Sequence, residues 1–255
     1  MTGTSEPAQI VTAGLLVIGD EILSGRTKDK NIGYIAEYLT TIGIELKEVR
    51  VVADEEAAIV EALNALKSRY CYVFTTGGIG PTHDDITNEC VARAFGVPLI
   101  LHEEAKRILE ARYRERGLEL NEARLRMAHI PKGASLVLNP VSGAPGFRMQ
   151  NVFVLAGVPQ IMQAMFEGLR SELKGGRPVL SRAISCGLAE GQLAKGLGEI
   201  QSRYPDIDIG SYPWYRRGAY GVSLVLRCAD ERRLGLASEA VAGLVRGLGG
   251  TPSEE

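Results

Sequence analysis

The sequence predicts an α/β protein with a mostly parallel sheet covered on both faces, followed by a smaller α+β domain. Three observations carry this. Apolar runs of strand length alternate with stretches whose apolar residues recur every three or four positions. The first runs end in glycines and carboxylates, as strands entering a ligand-facing rim do. Lys174-Gly175-Gly176-Arg177-Pro178 then breaks both periodicities and reads as a linker between domains spanning 10–173 and 180–249.

Each element follows from its own pattern. Ile10 to Ile18 is an unbroken apolar run that stops at Gly19-Asp20-Glu21, as a strand buried on both faces should. Asn31 to Ile42 places Ile32, Ile35, Ala36, Leu39 and Ile42 on one helical face and closes at Gly43. A strand over Glu45 to Val52, a helix over Glu55 to Lys67 and a strand over Tyr72 to Thr76 repeat the unit, and a helix from about Ile86 to Phe95 ends at Gly96 and Pro98. Glu103 to Arg116 and Asn121 to Met127 read as surface-lying helices. Ser135 to Leu138 and Val152 to Leu155 read as strands joined by the turn-rich stretch from Asn139 to Gly146, and Pro159 to Leu173 as a helix. After the linker come a strand (Arg182 to Leu188), a helix (Gly191 to Ser202), two strands (Ile207 to Tyr212, Gly221 to Cys228) and a helix (Glu231 to Leu248), with the last seven residues expected to fray.

Composition narrows the function. The chain carries 29 Lys+Arg against 31 Asp+Glu and is 45% hydrophobic, which excludes a disordered chain or a polybasic arm. Net charge is −4 up to residue 173 and +2 after it, so neither part is a charge-driven binder, and nucleic acid is not expected as a partner. The cysteines Cys71, Cys90, Cys186 and Cys228 form no Cys-x-x-Cys pair, which fits a reducing cytoplasm. No apolar stretch is long enough to span a membrane, and no signal peptide is visible.

The skewed number is glycine, 30 in 255 residues, and its placement points to a site. Ligands of open parallel sheets bind outside the carboxyl ends of the strands. There the sequence sets Gly19-Asp20-Glu21-Ile22-Leu23-Ser24-Gly25, then Asp54-Glu55, then Thr75-Thr76-Gly77-Gly78-Ile79-Gly80-Pro81-Thr82-His83-Asp84-Asp85. Glycines 77, 78 and 80 let the backbone turn successive N–H groups toward a phosphate or pyrophosphate, with the following helix adding its positive end. A bland alternative has equal standing, a tight turn with Asp85 capping the helix. Asp84 and Asp85 beside an anion cradle imply a bridging divalent cation, because carboxylates repel bare phosphate. Asp54 and Asp20 are candidates for orienting water, and Glu21, Ser24, Gly25, Lys28 and Asn31 sit where the first loop would meet a ligand. Thr76, Pro81 and Thr82 flank the glycines, and the stiff loop carrying Asn139, Gly143 and Gly146 is either a hairpin turn or a lid. The three histidines share no metal-ligand spacing, and only His83 lies beside the aspartates.

On these residues, together with Ala144-Pro145-Gly146-Phe147 and Gly157-Val158-Pro159, the chain resembles the molybdopterin-binding (MoaB/Mog-type) domain family, and within it the CinA-like branch (competence/damage-inducible protein A). The resemblance implies a three-layer α/β/α domain, a nucleotide-like or pterin ligand at the glycine loop, and a homo-oligomer. For the CinA-like branch, and for the similar domain of FAD synthases, it implies metal-dependent (Mg, Mn or Co) hydrolysis of a nucleotide diphosphate such as ADP-ribose or FAD. The alternative it implies is binding or adenylylation of molybdopterin. Two departures stand out. The molybdenum-inserting branch tends to carry arginine where this chain has Asp84, and the usual Pro-Gly-Val-Pro-x-Glu-Met reads here Ala156-Gly157-Val158-Pro159-Gln160-Ile161-Met162. The C-terminal deamidase domain of CinA proteins is expected to be absent.

Overall fold

A computed structural model describes residues 10–216 and 218–254. The chain forms two units that divide between Gly176 and Arg177.

The first unit begins with strand β1 (Val11–Ile18), the one-turn helix α1 (Asp20–Leu23), helix α2 (Asn31–Thr41), β2 (Ile44–Val52), α3 (Glu56–Arg69), β3 (Tyr72–Thr76) and α4 (Thr87–Phe95). It continues through β4 (Leu99–Leu101), α5 (Glu103–Glu115), the short helix α6 (Glu122–Leu125), a 3₁₀ turn (Arg126–Ala128), β5 (His129–Pro131), β6 (Ser135–Val137), β7 (Gly146–Met149), β8 (Val152–Leu155) and α7 (Pro159–Gly168). Six strands form one sheet in the order β2-β1-β3-β8-β7-β6. The pairs β1/β2, β1/β3 and β3/β8 are parallel, whereas β7 runs antiparallel to both β6 and β8. The chain leaves β1 for β2 on one side and returns to β3 on the other, which opens a crevice at the strand ends between β1 and β3.

Two cores sandwich this sheet. On one face Leu16, Ile18, Val73 and Val154 pack against Ile59, Leu63 and Leu66 of α3, Cys90 and Val91 of α4, and Leu109 of α5. On the other, Leu15, Val17, Phe74 and Phe153 meet Ile35 and Leu39 of α2 and Met162, Met165 and Phe166 of α7. Alternate residues of β1 and β3 therefore serve opposite layers, the arrangement that makes parallel strands apolar throughout. Phe74 lies 5.4 Å from Phe153 and 5.0 Å from Phe166, a ring cluster at the centre of the second core.

The second unit consists of β9 (Leu180–Cys186), α8 (Glu190–Arg203), β10 (Asp208–Arg216), β11 (Ala219–Cys228), α9 (Glu231–Gly247) and β12 (Ser253–Glu254). Its antiparallel sheet has the order β10-β11-β9-β12. Leu193 and Ile200 of α8 and Leu234, Val241 and Val245 of α9 pack on Ile184, Val222, Leu224 and Leu226. Gln201 of α8 reaches the outer edge of β10. Its amide donates to Ile207 O (2.7 Å) and its carbonyl accepts from Ile209 N (3.2 Å).

The structure corrects the sequence reading in four places. Gly146 to Met149 is a strand, so the loop from Asn139 joins β6 to β7 rather than to β8. The pair β4/β5 forms a separate two-stranded sheet. Residues after Leu125 tighten into the 3₁₀ turn, with Met127 buried rather than on the surface. Of the tail expected to fray, Ser253 and Glu254 instead pair with Ser185 and Ile184 of β9, and Glu255 lies outside the described residues.

Candidate functional site

Three strand ends, those of β1, β3 and β8, converge on Gly77. The loop after β1 is tied to β2 by Gly19 N donating to Val52 O (3.1 Å), and the loop after β3 to β8 by Gly77 N donating to Leu155 O (3.2 Å). Gly77 has φ +104°, and a Cβ there would lie 2.1 Å from Ile18 O and so collide with the end of β1. A Cβ on Gly157, beyond β8, would lie 3.2 Å from Gly77 Cα. Only glycine fits where these backbones meet. Asn31, buried at the start of α2, donates through Nδ2 to Gly157 O (2.8 Å) and so fixes the strand-end backbone. Its Oδ1 and the hydroxyl of the equally buried Thr76 have no partner among the described residues.

Thr87 anchors the glycine loop from within. Its N–H donates to Gly78 O and its hydroxyl to Gly77 O, each at 3.0 Å, and its Oγ1 fills the space a Gly78 side chain would need. Both carbonyls are thereby held back. Since the Gly77 N–H is spent on Leu155, the successive N–H groups without a partner among the described residues are those of Gly78, Ile79 and Gly80, and Gly78 abuts Thr87 at the start of α4. This shifts the cradle by one residue from the sequence reading, which counted Gly77 among the donors.

Carboxylates border the cradle. Asp20 and Asp54 exchange hydrogen bonds, Asp20 N to Asp54 Oδ2 (2.9 Å) and Asp54 N to Asp20 Oδ1 (3.4 Å). Burial, with the nearby charges of Asp20, Glu21 and Asp84, raises the Asp54 carboxyl above the usual carboxylate range. Asp85 Oδ2 accepts from the backbone N–H (2.8 Å) and the hydroxyl of Thr82. It thus closes the Gly80 to Asp85 turn rather than capping α4, which begins after Ile86 without a side-chain cap. The Thr82 side chain, the Asp84 amide and His83 hold the exposed Asp84 carboxyl below its ordinary value. His83 is almost wholly exposed. Arg126 donates to Thr82 O (3.1 Å) and contributes to the same turn, a role without a sequence signal.

The remaining candidates separate into two groups. Gly19 is buried at the end of β1 beside Glu21, whose carboxylate occupies the space of a Gly19 side chain. Ser24, Gly25 (φ +72°), Lys28, Pro81 and Thr82 are exposed along the two loops. By contrast, Asn139, Gly143 and Gly146 do structural work. Asn139 folds its own loop, accepting from Val141 N and Ser142 N and donating to Ala144 O. Gly143 makes room for the Arg112 side chain, and Gly146 for Val154 O within the sheet. Arg112 and Arg116 of α5 both donate to Val141 O (2.7 and 3.2 Å) and strap this loop to the helix.

Among the described residues no three Asp, Glu, His or Cys side chains converge as a cation cage, and no helix is long and apolar enough to cross a membrane. Residues 14–175 match the family model of a "probable molybdopterin binding domain", and residues 178–248 that of the middle domain of FAD synthase. A protein of Pyrobaculum calidifontis is 35% identical over 211 residues, 79% of this chain and 80% of its own length. One of Archaeoglobus fulgidus is 32% identical over 200 residues, 78% of this chain and 84% of its own. Among solved structures, CinA of Thermoplasma acidophilum, described as of unknown function, superposes with a TM-score of 0.59 at 33% identity, over 63% of this chain and 98% of that one. With the family model covering residues 14–175, which include both rim loops, and relatives this similar along most of their length, the chain belongs to the molybdopterin-binding (MoaB/Mog-type) domain family.

Proposed function

We propose that the first unit hydrolyses the pyrophosphate linkage of a nucleotide diphosphate, such as ADP-ribose or FAD, with a divalent cation. The observation that carries this reading is the row of free amides at Gly78, Ile79 and Gly80 set among the carboxylates of Asp20, Glu21, Asp54 and Asp84. Amides at a helix start recruit an anion, and carboxylates repel it; a hard cation between them reconciles the two. The donor chemistry fits Mg, Mn or Co. Mg-type ions bind through one or two carboxylates and complete their shell with water and substrate phosphate, so no cage is required. Asp84 and the free oxygen of Asp85 would hold the ion, which would neutralise phosphate charge.

The chain's own residues supply the remainder. The three amides hold the phosphate oxygens on which charge accumulates. Asp54, kept basic by burial and by its neighbours, takes a proton from the attacking water, and the Asp20 backbone fixes the Asp54 carboxylate in place. The match of residues 178–248, in the second unit, to the middle domain of FAD synthase is the reason to include FAD among the substrates tested. The decisive test is incubation with ADP-ribose, FAD, NADH and CoA under Mg, Mn and Co, reading AMP release. Asp85→Asn should abolish turnover in a folded chain; equal AMP release from variant and parent refutes the assignment.

A second reading, a molybdopterin-binding or adenylylating protein, is supported by the family match over 14–175. A phosphorylated pterin would use the same amides. Calorimetry separates the two, since a pure binder recovers ADP-ribose intact.

A further inference from the structure

The sheet of the second unit presents one face that its own helices leave uncovered. Ile184, Val222, Leu224 and Leu226 point into the core with α8 and α9. The register therefore sends Gly210, Tyr212, Trp214 and Arg216 of β10, with Val225, Gly221 and Arg227 of β11, to the opposite face. Glycine weakens a strand interior, yet two glycines of this face lie under rings. A Cβ on Gly221 would fall 2.4 Å from the Trp214 indole, and one on Gly210 2.7 Å from the Tyr212 ring. The indole runs from β10 across β11 to β9, where Nε1 donates to Ser185 Oγ (3.2 Å). Its polar edge is thus satisfied internally, and what it offers outward is its π-face. The Arg216 guanidinium stands 5.8 Å from the indole centre, and neither it nor Arg227 has a carboxylate partner among the described residues.

We propose that this face is a second binding site, for the planar ring and phosphate of a free nucleotide. The ring stacks on Trp214 and Tyr212, and Arg216 meets the phosphate. This goes beyond the pyrophosphate site and does not rest on it. Charge selects a free nucleotide over a nucleic acid strand. Arg216 beside the rings suffices for one phosphate group, whereas Arg227 lies eight register positions away opposite Asp208, so the face has no continuous basic track for a polyanion. A strand from another protein is disfavoured by the guarded edge, where Gln201 occupies Ile209 N and Pro213 has no N–H.

Trp214 is the single tryptophan of the chain, so its emission reports on this face alone. Titration of the full chain with AMP should quench it saturably, with adenosine weaker and ribose 5-phosphate silent. Arg216→Ala should raise the apparent Kd about tenfold. By calorimetry, Trp214→Ala should weaken the site about tenfold or more, while Trp214→Phe, which keeps a stacking ring, restores it to within about threefold. Retained far-ultraviolet dichroism in each variant separates lost binding from lost fold. Three results overturn the proposal: no quenching by AMP or equal quenching by ribose 5-phosphate; much tighter, steeply salt-dependent binding of an oligoadenylate, which makes this a nucleic-acid surface; or emission that changes with protein concentration alone, which makes it a contact between copies.

Discussion

Gly77→Ala tests the claim that the strand ends are built around a residue without a side chain. Two costs add. At φ +104° an L-residue is strained by about 1–3 kcal/mol. The Cβ, 2.1 Å from Ile18 O, meets backbone of a strand paired on both sides, so the loop must shift at a cost of about 1–3 kcal/mol more. For a unit of this size 1 kcal/mol moves Tm by roughly 3 °C, so the first unit should melt about 6–18 °C lower. Gly25→Ala is the control. It carries the same sign of φ (+72°) but meets nothing within 4 Å, and should cost about 1 kcal/mol, or roughly 3 °C. Scanning calorimetry reads both, and pyrophosphate titration at low salt should show weaker binding for Gly77→Ala only. Equal Tm values for the two variants would refute the convergence argument.

Thr87→Val removes the buried donor to Gly77 O and should cost about 1–3 kcal/mol in urea denaturation, with anion binding weakened; an unchanged midpoint would show that the hydroxyl does not anchor the loop. Asp54→Asn relieves a carboxylate crowded by Asp20, Glu21 and Asp84, so Tm at neutral pH should rise while AMP release falls, and a lower Tm would contradict the crowding. Burial pushes the Cys90 thiol up to about 12, and burial with Glu167 pushes Tyr34 up to about 12. Both values lie above those of the unfolded chain, so the folded state keeps protons that the unfolded state releases. The resulting stability is complete below about pH 9 and is lost as pH rises toward 12, and Cys90→Ala with Tyr34→Phe should flatten that loss in urea midpoints.

The parallel half of the first sheet was legible because β1 and β3 are buried on both faces and are rich in apolar and β-branched residues. Strand β7 was not. Its Pro145-Gly146 start reads as a turn, and the reason for Gly146, close approach to Val154 O, lies on a neighbouring strand. The three-residue strands β4 and β5 are too short to show a period, and β12 is two residues that matter only through pairing with β9. At the site, the glycines and aspartates were visible as types, but their partners were not. That Leu155 takes the Gly77 N–H, or that Asn31 holds Gly157 from 126 positions away, depends on contacts made only after the sheet assembles. The engagement of Asp85 by Thr82 is local, three residues apart, and could have been read as a turn.

The Gln201 side chain, described above as a contact to β10, acts as a stand-in for a missing strand. Its amide presents to Ile207 and Ile209 the donor and acceptor that an adjoining backbone would supply, and Pro213 withholds a donor farther along. An edge finished in this way resists sheet extension, a common route to aggregation. Self-association through strand pairing is thereby discouraged at β10, the edge opposite β12. Replacing one glutamine would reopen the edge without altering any residue of either proposed site.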